Sequence, residues 1–161
     1  FGNIPLVTTA GESTENADQA SRPEVYRFIV KELQEVTPLL PTGHSNLLGK
    51  NYGHVTRSVA NFLLAKLMLN GEVYSDADWT DNQQPNGKQT YFTINGQQMN
   101  IWQACKYYCD ELTADGFTLA ADYLSNFSVN NENSPENIFT IPLDKHLYKR
   151  QFQYLFRSRH Y

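Results

Sequence analysis

The segment from Tyr52 to Asn70 constrains the fold more than any other part of this chain. Its second half carries Val59, Phe62, Leu63, Leu64, Leu67, Met68 and Leu69, interrupted mainly by Asn61 and Lys66. A helix on the surface of a globule shows one apolar stripe, whereas these residues project around most of the circumference. The segment is therefore predicted to be a helix packed on more than one side. A helix surrounded by helices belongs to a bundle or a helical-repeat scaffold, and such scaffolds more often hold partners than catalyse reactions.

The flanking sequence supplies further helices. Ser21-Arg22-Pro23-Glu24 is a start signal: Ser21 can cap, Glu24 stands at the capping-box position, and Pro23 is tolerated in the first turn. Val25, Phe28, Ile29, Leu33 and Val36 follow at helical spacing, so a helix is predicted over about 22–37, ended by Pro38. The central helix is predicted over about 56–74, with Gly71 inside it or marking a bend. Ile101, Cys105, Tyr108 and Leu112 predict a third helix over about 100–113, with Trp102 and Cys109 widening its face and Trp102 read as core. Short strands are predicted over 89–94, before the Asn95-Gly96 turn, and over 136–141, stopped by Pro142. Residues 119–127 read as a short helix or tight turn packed through Leu119, Tyr123, Leu124 and Phe127. The fold class is mainly α, with minor strands and a long polar excursion over 75–97.

Bulk properties narrow the function. The 161 residues suit one domain or a piece of a larger one. Apolar content of 40% with only 19% charged residues argues against disorder. A net charge of −4 has the wrong sign for a nonspecific phosphate binder, so no nucleic-acid partner is expected. Lys145, Lys149, Arg150, Arg157 and Arg159 do interleave with aromatic residues in the tail over 143–161, a pattern some nucleic-acid binders share. The preferred reading is an incomplete element whose apolar side meets further chain. Cys105 and Cys109, four apart on a helix, suit two reduced thiols better than a disulfide.

Catalytic patterns are sparse. Asp76, Asp78 and Asp81 surround Trp79, but a polar loop does not hold two carboxylates at the fixed separation glycoside hydrolysis needs. The same carboxylates lack the glycine and terminal glutamate of a calcium loop. His44, His54, His146 and His160 lack metal-ligand spacing, and neither a nucleophile elbow nor a phosphate loop occurs. No metal or cofactor is expected. Sugar recognition, by contrast, needs an aromatic face with polar groups at its edge. Trp79 with Asp78, Asn82 and Gln83 has that composition, and Tyr91 across the same loop can join it. The competing reading is that Trp79 packs the loop onto the helices. Asn126-Phe127-Ser128 fits the N-glycosylation pattern and reads as chance.

Four blocks, in order, resemble the SusD/RagB family of Bacteroidetes outer-membrane lipoproteins. They are Phe1-Gly2-Asn3-Ile4-Pro5-Leu6-Val7, the helix from Arg22 to Leu33 with its following Leu40-Pro41, the segment from Tyr52 to Asn70, and Asn131 to Pro142. His54 departs from the Arg common in the family, and Gly71 from the Ala. The resemblance implies a superhelix of tetratricopeptide-like helical hairpins with irregular ligand-binding insertions. It also implies a chain that is a partial domain, about the middle third of a longer lipoprotein anchored at the outer membrane through an N-terminal lipid outside this sequence. Such proteins are not enzymes. They sit on the cell surface, bind an oligosaccharide or polysaccharide and pass it to a TonB-dependent transporter. The alternative expectation is a helical-repeat module that docks a protein and binds no sugar.

Overall fold

The computed structural model describes residues 2–11, 17–129 and 131–141. The predicted element over 143–161 lies outside them. Among the described residues are four α-helices: α1 (Arg22–Val36), α2 (Arg57–Leu69), α3 (Gly71–Ser75) and α4 (Ile101–Ala114). Two antiparallel pairs accompany them. Strand β1 (Ile4–Pro5) pairs with β2 (Gln19–Ala20), and β3 (Tyr91–Ile94) forms a hairpin with β4 (Gln97–Asn100). The architecture is thus mainly helical with small sheets.

Helix starts follow local chemistry. Ser21 accepts from the Glu24 amide while the Glu24 carboxylate accepts from the Ser21 amide at 2.7 Å, completing a capping box at α1. Asn100 and Gln103 make the same reciprocal pair at α4, with both bonds at 3.0 Å. Beyond α1, Pro38 falls in a 3₁₀ turn over Thr37–Leu39, where the Thr37 hydroxyl donates back to the Leu33 carbonyl.

The core forms where α2 meets α4, with α1 and the β3–β4 hairpin closing it. Leu64 and Met68 of α2, Ile101 and Ala104 of α4 and Val30 of α1 are all but inaccessible to solvent. Tyr26 packs its ring against Phe92 edge-on at 5.4 Å and donates to the Met68 sulfur at 3.6 Å. Burial pushes its hydroxyl pKa well above the ordinary tyrosine value.

Several expectations are corrected. The helix predicted over 56–74 is two helices, broken at Asn70, whose side-chain amide donates to the Lys66 carbonyl at 2.9 Å. Gly71 then begins α3 where a Cβ would lie 2.9 Å from the Tyr26 hydroxyl and 3.0 Å from Ile101 Cδ1, so only glycine fits without repacking. The first turn of α2 is buried all round, through Ser58, Val59, Ala60 and Asn61, as predicted, but further along Phe62, Leu63 and Leu69 face outward. Trp102, read as core, is more than a third exposed.

Residues 136–141 run without strand pairing among the described residues; just before them, the Thr118 amide donates to the Pro135 carbonyl and the Ser134 amide to the Asn131 carbonyl. The segment over 119–127 contains a 3₁₀ helix, Tyr123–Phe127, but Leu119, Tyr123, Leu124 and Phe127 all face solvent. Polar contacts hold it instead. The Asn126 amide donates to Glu136 at 2.8 Å, and the Ser134 hydroxyl donates to the Asn126 side-chain oxygen. Asn126 is consequently buried and engaged, which removes it as an accessible glycan acceptor.

The asymmetry of α2 gives a direct check. Met68→Ala empties a sealed site and is expected to cost about 2–5 kcal/mol in chemical denaturation. Leu69→Ala, one residue on and outward-facing, is expected to stay within about 0.5 kcal/mol.

Candidate functional site

The excursion over 75–97 is organised by its own acidic side chains. Asp76 Oδ1 accepts from the Asp78 amide at 3.0 Å. Asp78 Oδ1 accepts from the Thr80 hydroxyl at 2.6 Å and the Thr80 amide at 3.0 Å. Asp81 Oδ1 accepts from the Gln83 amide at 2.8 Å. Three successive side-chain turns therefore fold the loop back on itself. The carboxylates that resemble a catalytic cluster in sequence are turn formers. The hydroxyl bond from Thr80, then the amide bond, hold the Asp78 carboxyl below its usual range.

The loop is anchored to α1 through Arg22. Its Nε and Nη2 donate to the Asp76 carbonyl at 3.1 and 2.9 Å, and Nη2 stands 3.3 Å from Asp76 Oδ2. A cation in the first turn of a helix opposes the helix dipole, and the Asp76 carboxylate offsets that. Both side chains are largely shielded from water, which makes this pair less screened than the exposed pairs of Lys31–Glu35 and Lys106–Asp110.

Trp79 is held by the same arginine, whose guanidinium lies 5.1 Å from the indole centroid. The six-membered ring rests on Gly2, where an added Cβ would meet Trp79 Cη2 at 2.6 Å. Even so clamped, Trp79 is 53% exposed. Beside it a cleft of about 320 Å³ opens, lined by Arg22, Val73, Asp76, Trp79, Asn82, Gln83 and Gln84. Asn82 adopts a left-handed backbone with φ of 59°, a conformation asparagine tolerates better than most residues. The arrangement offers an aromatic surface beside amides, a cation and a carboxylate, which suits a ligand carrying many hydroxyl groups.

Of the residues expected to form a site, Trp79, Asn82 and Gln83 line this cleft. Asp78 turns its carboxylate into the loop backbone, and Tyr91 sits half-exposed on β3, outside the cleft lining. Arg22, Asp76 and Gln84 were not among the expected site residues. The available signal was Arg22 itself, a cation at a helix start that needs an anionic partner. Among the described residues no cluster of three or more His, Cys, Asp or Glu side chains could hold a metal ion. Cys105 and Cys109 are free thiols, and burial raises the pKa of Cys105. No described helix is long and apolar enough to cross a membrane.

Comparison with known proteins gives no match to a protein-family model, to a curated protein or to a solved structure.

The turn at Asp78 has a pH signature. Its folded-state pKa is lowered, so its contribution to loop order is present above the unfolded-state value and is lost as pH falls through the folded one. An NMR titration is expected to show the Thr80 amide changing with a midpoint below that of an unperturbed aspartate.

Proposed function

We propose that this chain is part of a non-catalytic, SusD-like glycan-binding protein of the outer-membrane surface, which hands an oligosaccharide to a TonB-dependent transporter. The observation that carries the reading is the half-exposed Trp79 ring, stiffened by Arg22 and Gly2 and flanked by the side chains of Asn82, Gln83 and Gln84. A rigid aromatic face contributes contact area at little cost in side-chain entropy, and edge amides select hydroxyl geometry. The four sequence blocks resembling the family, and the helical character of the chain, support the same reading. The tetratricopeptide-like superhelix belongs to this proposal, with α1 through α4 as a part of its scaffold. The loop carboxylates are engaged with backbone amides, which favours binding over hydrolysis.

A second reading, a protein-docking module without sugar affinity, is favoured by one observation. Tyr123, Leu124 and Phe127 stand 65–71% exposed along one 3₁₀ helix, close to Leu119 and Val129 in sequence, and exposed apolar patches mark interaction surfaces. The two readings separate on Trp79. Under the glycan reading, calorimetry with plant, host and microbial oligosaccharides finds a ligand, and Trp79→Ala weakens it by about 1–3 kcal/mol with the circular-dichroism spectrum unchanged. Under the docking reading no oligosaccharide binds, and the substitution changes nothing.

A further inference from the structure

A second cavity of about 320 Å³ lies where α1, α2 and α4 converge beneath the β3–β4 hairpin, and it shares no lining residue with the Trp79 cleft. We propose that this cavity is a separate binding site for a neutral polyhydroxylated ring, a single sugar unit.

Its polar groups are fixed before any ligand arrives. The Gln34 amide donates to the Thr93 carbonyl and to the Tyr108 hydroxyl, both at 3.2 Å. The Asn95 amide donates to the Tyr107 hydroxyl at 2.8 Å. Gln34 thereby commits its NH₂ group and keeps its carbonyl oxygen as an acceptor, while Asn95 keeps one N–H and its carbonyl oxygen. Each tyrosine hydroxyl accepts a bond; Tyr108 keeps its own hydrogen to donate, while the Tyr107 hydroxyl is turned to the Glu111 carboxylate. A polyol hydroxyl both donates and accepts, so it can answer either kind of group. Groups held in place by existing bonds lose little freedom on binding.

The lining charges give an ionic ligand no net advantage. Arg57 and Glu111 both line the cavity. An anion attracted to the Arg57 guanidinium is repelled by the Glu111 carboxylate, a cation meets the reverse, and either must also give up its hydration, which a neutral ring need not. Arg57 Nη2 is held by the Pro38 carbonyl at 3.2 Å, while its Nε has no acceptor among the described residues. A ligand oxygen that draws the guanidinium toward it breaks no bond at that nitrogen. Leu64, Ile94 and Pro38 supply apolar wall for the less polar face of a ring. The volume is at the lower end of small-molecule sites, which fits one ring better than a chain.

The test is an amide NMR titration of the whole chain with the methyl glycosides of glucose, galactose, mannose and N-acetylglucosamine, and with glucuronate as the charged probe. At least one neutral sugar is expected to shift the Gln34 and Asn95 side-chain amides and the backbone of 93–95 and 107–111 saturably. Trp79→Ala is expected to leave those shifts unaltered, because the sites share no residue. Removing the charge with Glu111→Gln is expected to raise affinity for glucuronate relative to the neutral sugar by about tenfold, the scale of one close charge contact in a partly exposed site. Shifts confined to the loop around Trp79 overturn this inference and leave the proposed function standing. Tighter binding of glucuronate than of every neutral sugar by the unaltered chain overturns the charge argument. Absence of any shift at Gln34, Asn95 and Tyr107 with all five probes overturns the site.

Discussion

Close packing of α2 on α4 is the constraint on which the rest of this structure depends. Ala65 on one helix and Ala104 on the other keep the surfaces shallow, and Leu64, Met68 and Ile101 fill what remains. Where side chains are closely packed, neighbouring elements are located by what they must avoid as much as by what they touch. Gly71 shows this directly. The chain leaves α2 at Asn70 and turns past Tyr26 and Ile101 at a distance that admits no side chain. That turn sets the direction of α3, and α3 delivers Asp76 to the first turn of α1, where Arg22 receives it. The position of the Trp79 loop is in this sense a consequence of core packing.

The loop itself is built by a different kind of physics. It has little apolar surface to bury, and its order comes from side-chain oxygens satisfying backbone amides at Asp76, Asp78 and Asp81. Such local bonds fix shape without consuming the aromatic surface. Trp79 is left partly in water because the turns, the arginine and the glycine beneath it define its position without burying it. A scaffold that tolerates a large exposed ring in a fixed orientation is suited to recognition by stacking. The same division recurs around Asn126, where a polar network with Ser134 and Glu136 holds a segment whose aromatic side chains face outward.

Much of the helical framework was legible in the sequence, because caps and apolar periodicity are local signals. Ser21, Glu24 and Pro23 marked α1 within a residue, and Ile101, Cys105, Tyr108 and Leu112 marked α4. Strand β4 was not legible: Gln97, Gln98, Met99 and Asn100 have no strand composition, and they pair because the Asn95-Gly96 turn returns the chain along β3. Burial was the least legible property. The apolar run of α2 predicted cover on several sides, yet Phe62, Leu63 and Leu69 face outward, since hydrophobicity states what a side chain prefers and not what the described chain supplies. At the candidate cleft, the grouping of Trp79, Asn82 and Gln83 in one loop was legible from composition. Arg22 was not, because its place there depends on a contact spanning 54 residues of sequence.

The proposed function requires the exposed part of the Trp79 ring to be a sugar-stacking surface. The most direct measurement is of intermolecular nuclear Overhauser effects in a sample of the chain saturated with the best-binding oligosaccharide. Cross-peaks between the Trp79 indole protons and the axial ring protons of one sugar residue are the predicted result. A saturated complex in which the indole protons show no contact with the sugar would contradict it.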